Sequence, residues 1–423
     1  MTVTERVVAE VDRATDEIVS YTAELVRIPT VNPPGAEYDA CAHFIGRDLE
    51  RRGFSVEYIA AEGLREHTAR FPRVNVVGSR RGGPGPVVHL NGHFDVVPPG
   101  DGWTIDPFGG VVRDGRIYGR GVCDMKAGIA AALFAAEAIA RAGVALPGTI
   151  EISGTVDEES GGFAGVAYLA EGGRIAEGRT DFVIIPEPLN VDRICIGHRG
   201  VYWFEVTARG RMGHGSMPFL GLSAIDGMSE LLHLVREDLR PALAARTTAV
   251  PVVPPGARHA TINVNGIDGG QPVDGIQTPC VADLCRAVFD RRFLMEEGFD
   301  AAKAEIEQLV GRAGRASGVR FDLRDLMVVH PTRTPSDSPV IAALDRSIRC
   351  VLGKPAELVA SPGTYDHKHV ARLAHVPHCV AYGPGILDLA HQPDEWCAID
   401  DLVNATKIIA LATLDLMRAR RDN

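Results

Sequence analysis

A chain of 423 residues, 45% hydrophobic and 23% charged, has the balance of an ordinary globular protein with room for two or three domains and a large core. Its 44 basic against 55 acidic residues leave a net charge of −11, a field that repels phosphate backbones and anionic lipid and argues against nucleic-acid or membrane partners. Eight scattered cysteines without a C-x-x-C pair argue against a zinc–thiolate site and suit a reducing cytosol.

Residues 4–26 carry helical periodicity, broken at Thr30-Val31-Asn32-Pro33-Pro34-Gly35, and 39–52 form a second helix stopped by Gly53. The first twenty residues lack a basic stretch followed by an apolar core, so no signal peptide is expected and the expected location is cytoplasmic. Strands are expected at 54–59, 73–78 and 87–90, followed by a Gly/Pro/Asp loop at 98–110. The Ala-rich helix at 125–142 carries Glu137 and Arg141 and reads as buried, not as a membrane span. A strand at 149–155, a helix after the Gly-rich 161–165, and strands at 182–185 and 193–196 continue the alternation. This pattern predicts an α/β sheet covered on both faces.

From residue 201 the order changes. A strand (202–209), a helix (223–238), two strands (261–266, 280–290), a helix (296–313) and a strand (320–327) give the β-α-β-β-α-β order of a ferredoxin-like sandwich. A helix at 339–352 resumes the α/β pattern, and a helix at 400–418 closes it. The expected architecture is an α/β catalytic domain with a mixed central sheet, residues 1–199 and 329–423. It is interrupted by a smaller ferredoxin-like α+β lid and dimerisation domain at 200–328.

Five turns carry candidate chemistry, most of them directly after a strand, where ligands bind in open α/β sheets. In Asn91-Gly92-His93-Phe94-Asp95, an imidazole is followed two residues later by a carboxylate that could hold it in one tautomer. Taken alone His93 is a strand-end histidine, and His89 competes without a supporting carboxylate. Asp124, in Gly121-Val122-Cys123-Asp124-Met125, precedes the apolar helix; it is either its N-cap or a carboxylate free to bridge two cations. Asp157-Glu158-Glu159 is a solvated acidic turn or a cluster that needs a cation to compensate it. Glu187 lies between Pro186 and Pro188, and His391 lies in a rigid loop before the last helix; neither is informative alone. Together they offer imidazole and carboxylate donors without thiolate, which suits two divalent ions, Zn²⁺ first, with Co²⁺ or Mn²⁺ as alternatives. One carboxylate shared by ions about 3.5–4 Å apart makes a two-metal hydrolytic centre, and a free carboxylate then carries the proton from water to the leaving amine.

These motifs, in this order over essentially the whole chain, resemble those of the co-catalytic zinc metallopeptidase and aminoacylase family, of the acetylornithine deacetylase and succinyl-diaminopimelate desuccinylase type. The resemblance implies that His93 binds one metal with Asp95 behind it and that Asp124 bridges both. It implies Glu158 as general acid/base, Glu159 and His391 on the second metal, and Glu187 on the first. Glu at position 187 looks more like the deacylases, where Asp would look more like the peptidases. The resemblance also implies a cis peptide after the bridging Asp124.

In the insert, Gly213-His214-Gly215-Ser216 resembles the family's Gly-His-Ser-Ser loop, with Gly215 in place of Ser. The resemblance implies a homodimer formed through the lid, across which His214 stabilises the oxyanion. Asn263 and Arg292 resemble binders of the substrate α-carboxylate, and a guanidinium suits that task by gripping with two parallel bonds; Arg291 is its neighbour. Gly363 aligns with a Gly-Gly-Thr-Asp segment, from which Tyr365-Asp366-His367-Lys368 departs. The function implied is two-metal amide hydrolysis that removes an acyl group from an N-acyl amino acid or similar small carboxylate. A dipeptidase or carboxypeptidase of the same family and an inactive metal-binding scaffold are the alternatives.

Overall fold

The computed structural model describes residues 1–270 and 279–419. It divides into two compact units, one comprising Met1–Gly197, Thr334–Val359 and the chain from Tyr365, the other His198–Arg333 and Ala360–Thr364. Among the described residues no helix is long and apolar enough to cross a membrane.

The first unit is built on a mixed sheet. Its strands run in the order Ser55–Ala60, Val74–Arg81, Thr149–Thr155, Val87–His93, Phe182–Ile185, Cys379–Ala381 and Arg193–His198. Val74–Arg81 is antiparallel to both neighbours, whereas Val87–His93 runs parallel to Thr149–Thr155 and to Phe182–Ile185. Strands covered on both faces have no side open to water, and Thr149–Thr155 and Phe182–Ile185 are buried at every position. The helix Ala127–Arg141 is rich in alanine, the best helix former, and buries twelve of its fifteen residues against neighbouring helices and strands. A small antiparallel sheet of Val111–Arg113, Arg116–Tyr118 and Trp396–Ala398 pairs Trp396 with Tyr118.

The second unit has an antiparallel sheet in the order Thr261–Gly269, Leu284–Phe293, Gly200–Arg209, Arg320–Val329. Helices Ala224–Leu234 and Phe299–Ser317 pack on each other and on this sheet. Burial alternates along Leu284–Phe293, so one face supplies the core, in which Phe204 stacks on Phe289 at 5.0 Å. The fold class is therefore the expected one, a mixed α/β sheet domain with a ferredoxin-like α+β insert.

Two elements differ from expectation. The helix expected over 4–26 is two, Val3–Arg13 and Thr15–Val26, because Ala14 (φ −87°, ψ 4°) leaves the helical conformation between them. The strand expected from 280 begins at Leu284, because the preceding residues pair elsewhere: the Val281 and Gly210 amides donate to the Gly213 and Asp283 carbonyls.

Candidate metal centre

Three adjacent parallel strands deliver the first ligand candidates to one sheet edge. His93 is the last residue of Val87–His93 and pairs with Thr155, three residues before Glu158. Glu187 follows Phe182–Ile185, whose Ile184 pairs with Leu90. The turn carrying Glu158 and Glu159 is held from below. Asp157, in a left-handed conformation (φ 60°), accepts from Tyr38 Oη at 2.9 Å and from Arg73 Nε at 3.0 Å. Asp95 accepts the Glu158 and Glu159 amides, each at 3.1 Å, and the Asn32 amide group at 3.0 Å. The same Asp95 lies behind His93: its backbone carbonyl is 3.1 Å from His93 Nδ1, which orients the ring so that Nε2 faces Asp124.

Asp124 does not cap the apolar helix. That helix starts at Ala127 with no side-chain cap, and Asp124 sits in an extended conformation before a cis peptide to Met125. Its two carboxylate oxygens point to different partners, Oδ1 at 3.1 Å from His93 Nε2 and Oδ2 at 3.4 Å from His391 Nε2. His391 Nε2 is 3.1 Å from Glu159, and His93 Nε2 is 3.9 Å from Glu187. Two triads result, His93–Asp124–Glu187 and Asp124–Glu159–His391, in each of which the ligand atoms lie within 4.8 Å of one another. Asp124 belongs to both. His93 is 1% exposed and His391 48%, so the second triad opens to solvent at His391.

The charges require compensation. Burial pushes Glu187 well above the ordinary carboxylate range, with Asp124 adding to the shift. Burial likewise lifts Glu159 to about 7 against the hydrogen bond from His391. Asp124 moves the other way: burial opposes its charge, but hydrogen bonds from His391 and His93 hold it well below the usual range. His391 is raised to about 10 by its bonds to Asp124 and Glu159. Protons thus do what a divalent cation would do, and two imidazoles with three carboxylates are the hard and borderline donors that such ions prefer. The residues present fit a metal pair.

Glu158 belongs to neither triad, and its Oε1 accepts from Lys368 Nζ at 2.9 Å. A second tier ties the two halves of the outer triad. Glu395 Oε1 accepts the Cys123 and Asp124 amides at 2.8 and 3.3 Å, and its Oε2 pairs with Arg120 at 2.6 Å. Arg120 in turn donates to the carbonyls of Pro99, His391 and Gln392. Lys368, Arg120 and Glu395 are partners that no sequence motif marks, because each meets its counterpart only through the fold. His89 also needs correction: it does have a carboxylate, with Nδ1 3.3 Å from Glu151 and Nε2 2.8 Å from Ser153 Oγ, and is a satisfied core histidine.

The remaining candidates lie in the second unit, each with local partners. His214 is exposed, its Nδ1 bonded to Ser216 at 2.8 Å. Asn263 donates to Asn265, and the Gly363 amide donates to Ser361 Oγ. Arg292 grips Asp290 through Nε and Nη2 at 2.7 and 3.0 Å, so its fork already holds a carboxylate. Arg291 is fully buried and bonded to Glu297, which gives it a structural task distinct from that of its neighbour.

Residues 89–415 match the model of peptidase family M20/M25/M40. A succinyl-diaminopimelate desuccinylase of Methylorubrum extorquens is 32% identical over 404 residues, covering 91% of this chain and 94% of that protein. Another from Rhodospirillum centenum is 28% identical over 397 residues, covering 92% and 95%. In fold, the chain is similar to human carnosine dipeptidase 1, with a TM-score of 0.78 at 20% identity over 99% of this chain and 100% of that one. It is also similar to a dinuclear metal-binding peptidase of Bacillus subtilis, with a TM-score of 0.68 at 15% identity over 95% and 98%.

Proposed function

The chain belongs to peptidase family M20/M25/M40 and is a metal-dependent amide hydrolase, and from that premise we propose that it removes an acyl group from an N-acyl amino acid. The observation that carries this reading is a carboxylate, Asp124, shared by two ligand triads, with a second carboxylate, Glu158, beside them and in neither. His93, Asp124 and Glu187 would hold one ion and Asp124, Glu159 and His391 the other, zinc being the metal best matched to this donor set. Bound there, such ions polarise a carbonyl and acidify water. Glu158 takes the proton from the attacking water and delivers it to the departing amine. Asp95 keeps the His93 ring and the Glu158–Glu159 turn in place.

The desuccinylase relatives favour an acyl substrate with a carboxylate over a dipeptide. Residues 1–199 and 329–423 are assigned to catalysis and 200–328 to a lid and dimer interface. His214 is assigned to the oxyanion, Asn263 and Arg292 to the substrate carboxylate and Gly363 to substrate binding, all four on the family resemblance. The dimer draws support from the exposed apolar Met212, Met217, Phe219 and Leu220 that flank His214. Cytoplasmic residence draws on eight free cysteines.

The test is a zinc-loaded screen of N-formyl, N-acetyl, N-succinyl and N-carbamoyl amino acids alongside dipeptides. Hydrolysis of an acyl-amino acid is expected; cleavage of dipeptides alone would replace the reading by the peptidase one. Glu158→Ala should lower kcat by about 100- to 10,000-fold while both ions stay bound. Loss of a metal instead would exchange the roles of Glu158 and Glu159.

A further inference from the structure

The segment Tyr365-Asp366-His367-Lys368-His369 is where this chain departs from the family pattern, and it lies against the turn that carries Glu158. Lys368 Nζ is 2.9 Å from Glu158 Oε1, with the two side chains only 7% and 11% exposed. The next residue, His369, places Nε2 2.6 Å from the Gly161 carbonyl, at the far end of the same turn. The segment is itself anchored to the sheet. Buried Asp366 accepts from Asn91 Nδ2 at 2.9 Å, and Asn91 Oδ1 accepts from Ser153 Oγ at 2.7 Å. Asn91 and Ser153 lie on the strands that end at His93 and lead to Glu158.

We propose that Lys368 is a positioning residue for the acid/base, holding one oxygen of the Glu158 carboxylate so that the other is presented for proton transfer. An exposed Lys–Glu pair would achieve little, because water screens it and both long side chains wander. Here both ends are largely shielded from water. The lysine stem springs from a helical turn, His367–Arg372, and the residue preceding that turn, Asp366, is bonded to Asn91 of the sheet. Among the described residues the carboxylate therefore has one hydrogen-bonding side-chain partner, which holds it in one orientation. The inference rests on Glu158 being the proton carrier.

Two experiments test it. On the best acyl-amino acid of the screen, Lys368→Met should lower kcat by about 10- to 100-fold, a part of what a general acid/base supplies, with KM and the content of two zinc ions unchanged. Lys368→Arg should recover much of the loss, and added ethylammonium should restore Lys368→Ala in proportion to its concentration. Equal kcat for Lys368→Met and wild type, or a loss that neither arginine nor the amine repairs, would overturn the proposal. Independently of any substrate, a thermal-denaturation cycle over wild type, Lys368→Met, Glu158→Gln and the double variant should be non-additive; additive losses in Tm would also overturn it. A wild type that hydrolyses nothing in the screen would sink the functional reading, and the cycle would still decide the pairing.

Discussion

Glu395 and Arg120 show how single buried residues set the outer ligand triad. One carboxyl oxygen of Glu395 takes the backbone amides that present Asp124, and the other takes Arg120, which holds the His391 carbonyl. Both side chains are nearly inaccessible, so removing the charge of one strands the other in a low-dielectric site, which costs about 3–5 kcal/mol. Neither touches His93 or Glu187. Glu395→Gln should therefore release the ion of the Glu159–His391 side first, and elemental analysis after mild chelation should find about one ion per chain where wild type keeps two. Lys368 acts at the same scale on a different atom, the proton carrier itself.

At the scale of elements, the approach of the Ala127–Arg141 helix to the end of Phe182–Ile185 sets where Glu187 stands. A Cβ at Gly128 would lie 2.1 Å from the Pro186 carbonyl oxygen, and one at Gly383 would lie 2.2 Å from the same atom. Backbone cannot yield as a side-chain tip can, so the helix and the Pro186–Glu187 turn would have to part. Gly128→Ala is expected to cost about 1–3 kcal/mol in chemical denaturation, the usual penalty of overpacking. It should also weaken metal binding, because Glu187 is the residue after Pro186. Unchanged stability would mean that the helix has slack at this contact.

Over the whole molecule, the cluster makes stability depend on pH and on metal. In the metal-free protein Glu159 is raised from 4.5 to about 7 and Asp366 from 3.8 to about 7, both chiefly by burial. A carboxyl that binds its proton more tightly when folded destabilises the fold as pH rises from the unfolded value to the folded one. His391, raised from 6.5 to about 10, has the same slope: its contribution is complete below about 6.5 and fades as pH approaches about 10. Metal ligation needs Glu159 and His391 deprotonated, so binding strengthens over the interval in which the free protein weakens. Thermal melts with zinc and with chelator should diverge as pH goes from about 5 to about 8, by an amount set by RT ln(1 + [Zn]/Kd). Parallel curves would mean that these side chains do not share the ion.

The amino-acid order by itself determined the periods and the chemical types. Alternating apolar runs and helices specify an α/β sheet, the second string of elements specifies a ferredoxin-like insert, and turns offer His93, Asp124, Glu159, Glu187 and His391 as ligand candidates and Glu158 as a proton carrier, because periodicity and turn chemistry are local. Partnership is not local. Lys368 meets Glu158 across 210 positions and Arg120 meets Glu395 across 275, so neither pair leaves any trace in a window of neighbouring residues. His89 looked unsupported until strand pairing set Glu151 opposite it, and Asp124 looked like a helix cap until the helix was found to start three residues later. Only the tertiary structure decided which charges face one another, because that depends on strand order and on how closely backbones can approach.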